Sequence, residues 1–456
     1  MWDKIANYIL KRRVLNLIIV SILLIFLGLK AFNVKMGHNV ASTLPDSDTT
    51  MIEYRQFLEK YGQDGRSIFV GMYDEDLFTL EHFQDYYDLN SKIREIEGVV
   101  ECLSVTRVYN IKKNDSIKKF ELTQVVKTRP ETQAEVDAIR DEIMSLAMYD
   151  RLLFNSEKHS AMMLISLEDE YVNSKKRVEL VKSLRSLLDD FGKAHNIEMR
   201  ISGMPYIREI TTQKMVKEIV GFTVLSIFVA GFILFLFFRS WRPLVSVVAI
   251  VLVSVIYMFG IMVLLDFDVT ILTGVLPPLL IIIGVENSIF MLNKYHREYD
   301  ACHDKMQALK NMIVRIGPAN FLTNTTTAVS FASFIITRNV LLVPFGILAS
   351  ICIMLTYVLT MVLIPTFFSY QKNPEGKSVN YMNGKRISYI MEKVSAFVLS
   401  KKRVIYAVLA VLLVLCFVGA MRMTTSGRVV DDIAKNDKLY KDIMFFRGKR
   451  RRSDAF

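Results

Sequence analysis

The stretch "LLIIIGVENSIFMLN" (residues 279–293) has ten aliphatic, aromatic or Met residues out of fifteen, with one carboxylate, Glu286, among them. A run this apolar reads as the centre of a membrane-crossing helix. An ionised carboxylate inside such a helix is costly unless something pairs with it or uses it.

The run is one of several. The 456-residue chain is 52% hydrophobic, and its apolar residues gather into seven blocks of roughly 20 residues, each long enough to cross about 30 Å of hydrocarbon as a helix. They fall at 14–34, 218–238, 243–265, 270–293, 318–337, 341–365 and 404–421. The first follows Lys11, Arg12 and Arg13 as a signal peptide would, but it is long and lacks a small-x-small cleavage pattern, so it reads as a retained anchor.

A net charge of +11 raises the question of nucleic acid, but the basic residues sit at the ends of the apolar blocks. Lys11–Arg13, Arg239 and Arg242, Lys294 and Arg297, Lys372 to Arg386, and Lys401–Arg403 all fall on one side if the seven blocks alternate. The opposite short loops hold Asp266, Asp268 and Arg338. The positive-inside rule then makes the N-terminus cytoplasmic and segment 35–215 external, in a multi-pass protein of the cytoplasmic membrane. No nucleic-acid partner is expected.

The four cysteines are scattered and the six histidines form no close pair in sequence, so neither a disulfide framework nor a metal site is expected. No phosphate-binding loop, Gly-x-Ser-x-Gly or His-Glu-x-x-His motif occurs. An enzyme is not expected, and neither is a cofactor.

The external segment alternates period-2 and period-3.6 patterns. Strands are predicted at 67–73, 99–108, 160–167 and 197–202. Helices are predicted at 79–96, with Leu80, Phe83, Tyr87 and Ile93 in a stripe, and at 174–192, with Val181, Leu184 and Leu188 inward. Pro130 opens another helix carrying Val136, Ile139 and Ile143. Two β-α-β units imply an α/β domain of split-βαβ type. The acidic words "LPDSD" (44–48) and "YDEDLF" (73–78) read as turns and helix caps rather than metal loops.

The chain also repeats itself. "ILKRRVLNLIIV" (9–20) resembles "VLSKKRVIYAVLAV" (398–411), and 41–62 resembles 429–448, both at an offset close to 390 residues. The second copy diverges into "RGKRRRSDAF" (447–456) where the first continues as a strand, which reads as a truncated second half. The predicted plan is a helical polytopic membrane protein of about seven spans with a large extracytoplasmic α/β domain. Its parts are a first span at 14–34, the external domain at 35–215, a five-helix membrane domain at 216–370, a cytoplasmic linker at 371–403, a seventh span at 404–421 and the start of a second external domain at 422–456.

Local words point to a family. "GVEN" (284–287) in the fourth span resembles a Gly-Ile/Val-Asp-aromatic word of the resistance–nodulation–division (RND) superfamily. "NKYHREY" (293–299), "LTNTTTAVSFASF" (322–334), "PFGILAS" (344–350) and "ISGMPYIREI" (201–210) resemble further words in the same order. The set is similar to the MMPL/patched-like branch, with a sterol-sensing-type domain over spans two to six. Glu286 stands where that family usually has Asp, and Asn287 where it has an aromatic residue.

The resemblance implies a transporter driven by the proton gradient that exports lipids or other hydrophobic molecules. It places proton coupling at Glu286, about eight residues, or roughly 12 Å, inside Lys294, with Asn287 and Asn293 beside it. Thr323, Asn324, Thr326, Thr327 and Ser330 form a polar stripe on the fifth span, read either as a wall facing that carboxylate or as ordinary small-residue helix packing. Pro277, Pro278 and Gly284 are expected to loosen the fourth span near the site. Expected partners are membrane lipids or hydrophobic small molecules, and a second copy or second half. The competing readings are a non-transporting lipid sensor or scaffold and, behind it, a protein-export accessory factor.

Overall fold

The computed structural model describes residues 1–34, 48–61, 65–114, 119–150, 152–155, 157–172, 174, 176–238, 240–337, 339–371, 385–422 and 435–450. Most of the 44–48 word, Arg239, Arg338, positions 372–384 and the final 451–456 lie outside the described residues.

Along the chain run α1 (Trp2–Lys11), α2 (Arg13–Ala31), α3 (Thr49–Tyr61), β1 (Ser67–Tyr73), α4 (Leu80–Arg94), β2 (Val99–Leu103), β3 (Tyr109–Asn114) and β4 (Lys119–Gln124). Next come α5 (Gln133–Ser145), β5 (Phe154–Asn155), β6 (Ser160–Leu167), α6 (Asp169–Val172), α7 (Lys176–Ala194), β7 (Arg200–Ser202) and α8 (Met204–Phe238). Then follow the helices α9 (Trp241–Leu264), α10 (Leu276–Cys302), α11 (Lys305–Ala332), α12 (Leu342–Tyr370), α13 (Lys385–Ser400), α14 (Lys402–Met421) and α15 (Lys438–Arg450). The chain divides into a helical unit, Met1–Asp48 with Met215–Thr425, and a sheet unit, Thr49–Lys214 with Ser426–Phe456.

Among the described residues six helical stretches are long and apolar enough to cross a membrane: α2, α8, α9, Thr273–Cys302, α12 and α14. This is a helical polytopic membrane protein carrying a smaller sheet unit. Residues 318–332 of the predicted span 318–337 lie in α11, which is not one of the six, because three asparagines, three basic residues and a run of hydroxyl side chains dilute its apolar content. It begins at Lys305, well before Pro318, which sits inside the helix without ending it. The second span starts earlier than predicted, at Met204, since the polar stretch 211–218 continues the helix. Part of the predicted linker 371–403 is α13, an amphipathic helix.

In the helical unit α9 lies against α2, α10 and α12. Gly260 permits the α2 contact, because a Cβ there would stand 2.6 Å from both Cβ and O of Leu27. Beside it the Tyr257 hydroxyl donates to the Val20 carbonyl at 2.7 Å. The amphipathic α1 buries Ala6 and Ile9 and lies along α11. Burying an aliphatic side chain of this size contributes about 1.5–3 kcal/mol.

The sheet unit bears out the split-βαβ reading. Its strands run antiparallel in the order β2–β6–β1–β7, so β6 enters between the two strands of the β1–α4–β2 unit, and β5 pairs with β6. β1 and β6 pair in register with Phe69 opposite Leu164. Phe83 and Ile93 of α4, and Val181, Leu184 and Leu188 of α7, are buried as predicted, whereas Tyr86 and Leu89 are buried more deeply than Leu80 and Tyr87. The predicted strand 99–108 stops at Leu103, where Ser104 and Arg107 form an isolated bridge. The β3–β4 hairpin lies off this sheet. Residues 438–450 form α15, which falls within the sheet unit and whose Leu439 joins the core.

Candidate functional site

The sequence places its candidate residues on α10 and α11, and these helices lie side by side. Pro277 and Pro278 occupy the first turn of α10, after a short 3-10 turn at Thr273–Val275. A missing backbone N–H costs nothing there, so they start the helix rather than kink it. Gly284 works by close approach: a Cβ would lie 2.9 Å from Val251 Cγ2 of α9 and 3.3 Å from Thr356 Cγ2 of α12. A three-helix crossing is thereby centred two residues before Glu286.

Glu286 and Asn287 point to different surroundings. Glu286 lies on the exposed face of α10, and no hydrogen bond or ion pair ties it to another described residue. Asn287 is buried and makes a reciprocal pair with the buried Asn324 of α11. Asn287 Nδ2 donates to Asn324 Oδ1 at 3.1 Å, and Asn324 Nδ2 donates to Asn287 Oδ1 at 2.9 Å. Asn324 Nδ2 also reaches the Asn320 carbonyl at 2.8 Å. Amides in an apolar interior need such partners, since an unmet one costs about 1–3 kcal/mol.

Two polar atoms of this region have no partner: Asn320 Nδ2 and Asn293 Oδ1 are both buried and unbonded.

The hydroxyl stripe on α11 satisfies itself. Thr323 donates to the Ala319 carbonyl, Thr326 and Thr327 to that of Thr323, and Ser330 to that of Thr326. Thr323, Thr326 and Ser330 are exposed and Thr327 is half-buried, so of the predicted wall Asn324 is the member that turns onto α10. The structure thus joins Asn287 to Asn324 and leaves Glu286, Asn293 and the hydroxyls unconnected to that pair.

Sequence reading missed the charged knot further along α10. Glu298 is buried and receives Lys294 at 2.9 Å, Arg315 at 3.1 Å and the Asn311 amide at 3.0 Å. The i,i+4 spacing of Lys294 and Glu298 was a readable signal, but the α11 partners were not. Among the described residues no group of three or more His, Cys, Asp or Glu side chains is placed to hold a metal ion.

Comparison with known proteins agrees with this architecture. The model of the MMPL family matches residues 49–379, a stretch that takes in most of the sheet unit and α8 to α12. A curated membrane protein of Methanocaldococcus jannaschii is 23% identical over 377 residues, covering 79% of this chain and 92% of that relative. The fold, the position of the acidic word in α10 and the extent of the match give one conclusion: the chain belongs to the MMPL family, membrane transporters of the RND type.

Proposed function

We propose that this chain is a proton-driven exporter of lipids or other hydrophobic molecules, seated in the cytoplasmic membrane with its N-terminus inside and its sheet unit outside. The observation that carries the reading is Glu286, a carboxylate in a long apolar helix, next to an amide pair that fixes its helix to α11. A carboxylate in a membrane-crossing helix is a functional group by default. Loading a proton removes its charge and releasing it restores the charge. The Glu286 face of α10 would then prefer different neighbours in the two states. Asn293 lies two turns further along α10, and the exposed hydroxyls of α11 offer a polar surface to a water chain or to a second copy. A membrane potential contributes about 2.3 kcal/mol per charge per 100 mV, so a few protons per cycle suffice, with no cofactor.

The test is transport of a lipophilic dye by the full chain in proteoliposomes under an imposed pH gradient. Glu286→Gln should abolish gradient-driven transport while leaving dye binding within about twofold. Unchanged gradient-driven transport by this variant would sink the coupling role. Dye binding without transport in the unmodified chain would favour the lipid-sensor reading.

A further inference from the structure

We propose that His82 and His195 of the sheet unit form a two-imidazole binding site for a borderline divalent transition-metal ion of the zinc and copper class. The residues lie on different helical segments, His82 on α4 and His195 immediately after α7. Folding brings their rings to a centroid separation of 4.2 Å at an interplanar angle of 61°. Each ring is held by its own carboxylate. His82 Nδ1 meets Asp74 Oδ2 at 3.3 Å, and His195 Nε2 meets Asp85 Oδ2 at 3.0 Å. Asp74 is itself fixed, since it is buried and its Oδ1 accepts from the Asp76 N–H at 2.9 Å. Phe191 packs on His195 with ring centroids 4.7 Å apart.

The carboxylates decide which nitrogens are left. A neutral imidazole that donates one N–H keeps a lone pair on its other nitrogen. His82 therefore offers Nε2 and His195 offers Nδ1. A carboxylate holding the far nitrogen is the arrangement that orients a metal-ligating histidine and raises its basicity. Imidazole nitrogens bind zinc at about 2.0–2.1 Å, which places two of them roughly 3.3 Å apart on a tetrahedral ion. Two imidazoles suit zinc, copper or nickel, and are poor ligands for magnesium or calcium. Since no third protein donor converges among the described residues, water completes the shell and micromolar affinity is expected. The site is independent of Glu286 and of the proposed transport reaction.

The experiment is titration of the detergent-solubilised full chain with zinc chloride, followed by calorimetry and by the shift in Tm, with magnesium chloride as control. One zinc per chain is expected, bound with micromolar affinity, with a raised Tm and no magnesium effect. His82→Gln and His195→Gln should each weaken zinc binding by at least about 10-fold, and Asp74→Asn by about 10–100-fold through loss of ring orientation. No zinc binding by the unmodified chain overturns the proposal, and so does unaltered affinity in both histidine variants. Should those variants fail to fold, cobalt supplies the readout on the unmodified chain. Visible absorption bands of nitrogen-ligated cobalt, displaced by zinc, support the site, and their absence overturns it.

Discussion

Two regions of this chain carry the same plan and bury opposite parts of it. In the first, α1 leads through Arg12 into the apolar α2, and α3 follows; in the second, α13 leads through Lys401 into α14, and α15 follows. Arg12 matches Lys401, Asp48 matches Asp437, Glu53 matches Asp442 and Phe57 matches Phe446, a constant offset of 389 residues. The break between the paired helices has the same backbone, φ −109° and ψ 31° at Arg12 against φ −109° and ψ 29° at Lys401.

Their packing is reversed. In the first region α2 is seated on α9, whereas α3 leaves Ile52, Tyr54 and Phe57 44%, 45% and 50% exposed. In the second region α14 has no buried residue, whereas α15 buries Leu439 and Asp442 and sets Phe445 and Phe446 against Tyr73 and Phe69 of β1. The receiving surface, more than the helix itself, therefore decides what is buried. The decisive residues are glycines on the receiving side, Gly260 on α9 and Gly71 on β1.

The largest effect should come from Gly260→Val. Its branched side chain has no room beside Leu27, so the α2–α9 seam should open at a cost of about 3 kcal/mol, read as a lowered unfolding midpoint in detergent. Gly419→Val in α14, where nothing stands within 4 Å, should change stability by no more than about 0.5 kcal/mol. Equal losses at the two glycines would break the comparison.

Gly71→Val should act next most strongly. A Cβ at Gly71 would fall 2.4 Å from a Phe445 ring carbon, so α15 should lift from β1. Amide exchange over 438–446 should then speed up roughly 30-fold, equivalent to about 2 kcal/mol.

The smallest effects concern the acids of the second region. The ion pair to Lys214 holds the Asp437 carboxyl below its usual range. Its contribution is present above the unfolded carboxylate pKa and fades as pH falls through the lowered folded value. Asp437→Asn should therefore weaken α15 docking by no more than about 1 kcal/mol at pH 7, because the pair is partly exposed. Asp442 has the opposite sign. Burial pushes its carboxyl up, opposed by Arg200 at 3.1 Å, and its Oδ2 has no partner. Its contribution is present below the unfolded pKa and fades as pH rises through the raised folded value. Asp442→Asn mimics the protonated group, and Arg200 keeps its contact with Glu198. Amide protection of α15 in this variant should be less sensitive to pH, as pH rises above the usual carboxylate range, than in the unmodified chain.

Much of this fold was legible because apolar length and strand alternation report local burial directly. β1 and β6 fall on their predicted residues, and α4 and α7 lie within two residues of prediction at each end. The β3–β4 hairpin was not legible: "YNIKKN" and "KFELTQ" lack an unbroken apolar face and lie outside the main sheet. Nor was the placement of α15, which depends on a glycine more than 350 residues earlier in the chain. At the candidate site the sequence identified Asn287 and Asn324 separately, as polar groups in apolar helices. Their bonding to each other is a tertiary fact, as is the meeting of His82 with His195. The prolines were misread as a kink because sequence alone did not show that α10 begins at Leu276.

The Asn287–Asn324 pair has a mechanical consequence. Amides carry no net charge and take up no proton at physiological pH, so the pair is blind both to the membrane voltage and to the ionisation of Glu286. It ties α10 to α11 without a titratable group of its own. On the proposed reading, any displacement driven from Glu286 would be carried by α10 and α11 together, and the close approach of Gly284 to Val251 and Thr356 is the seam where that pair meets α9 and α12.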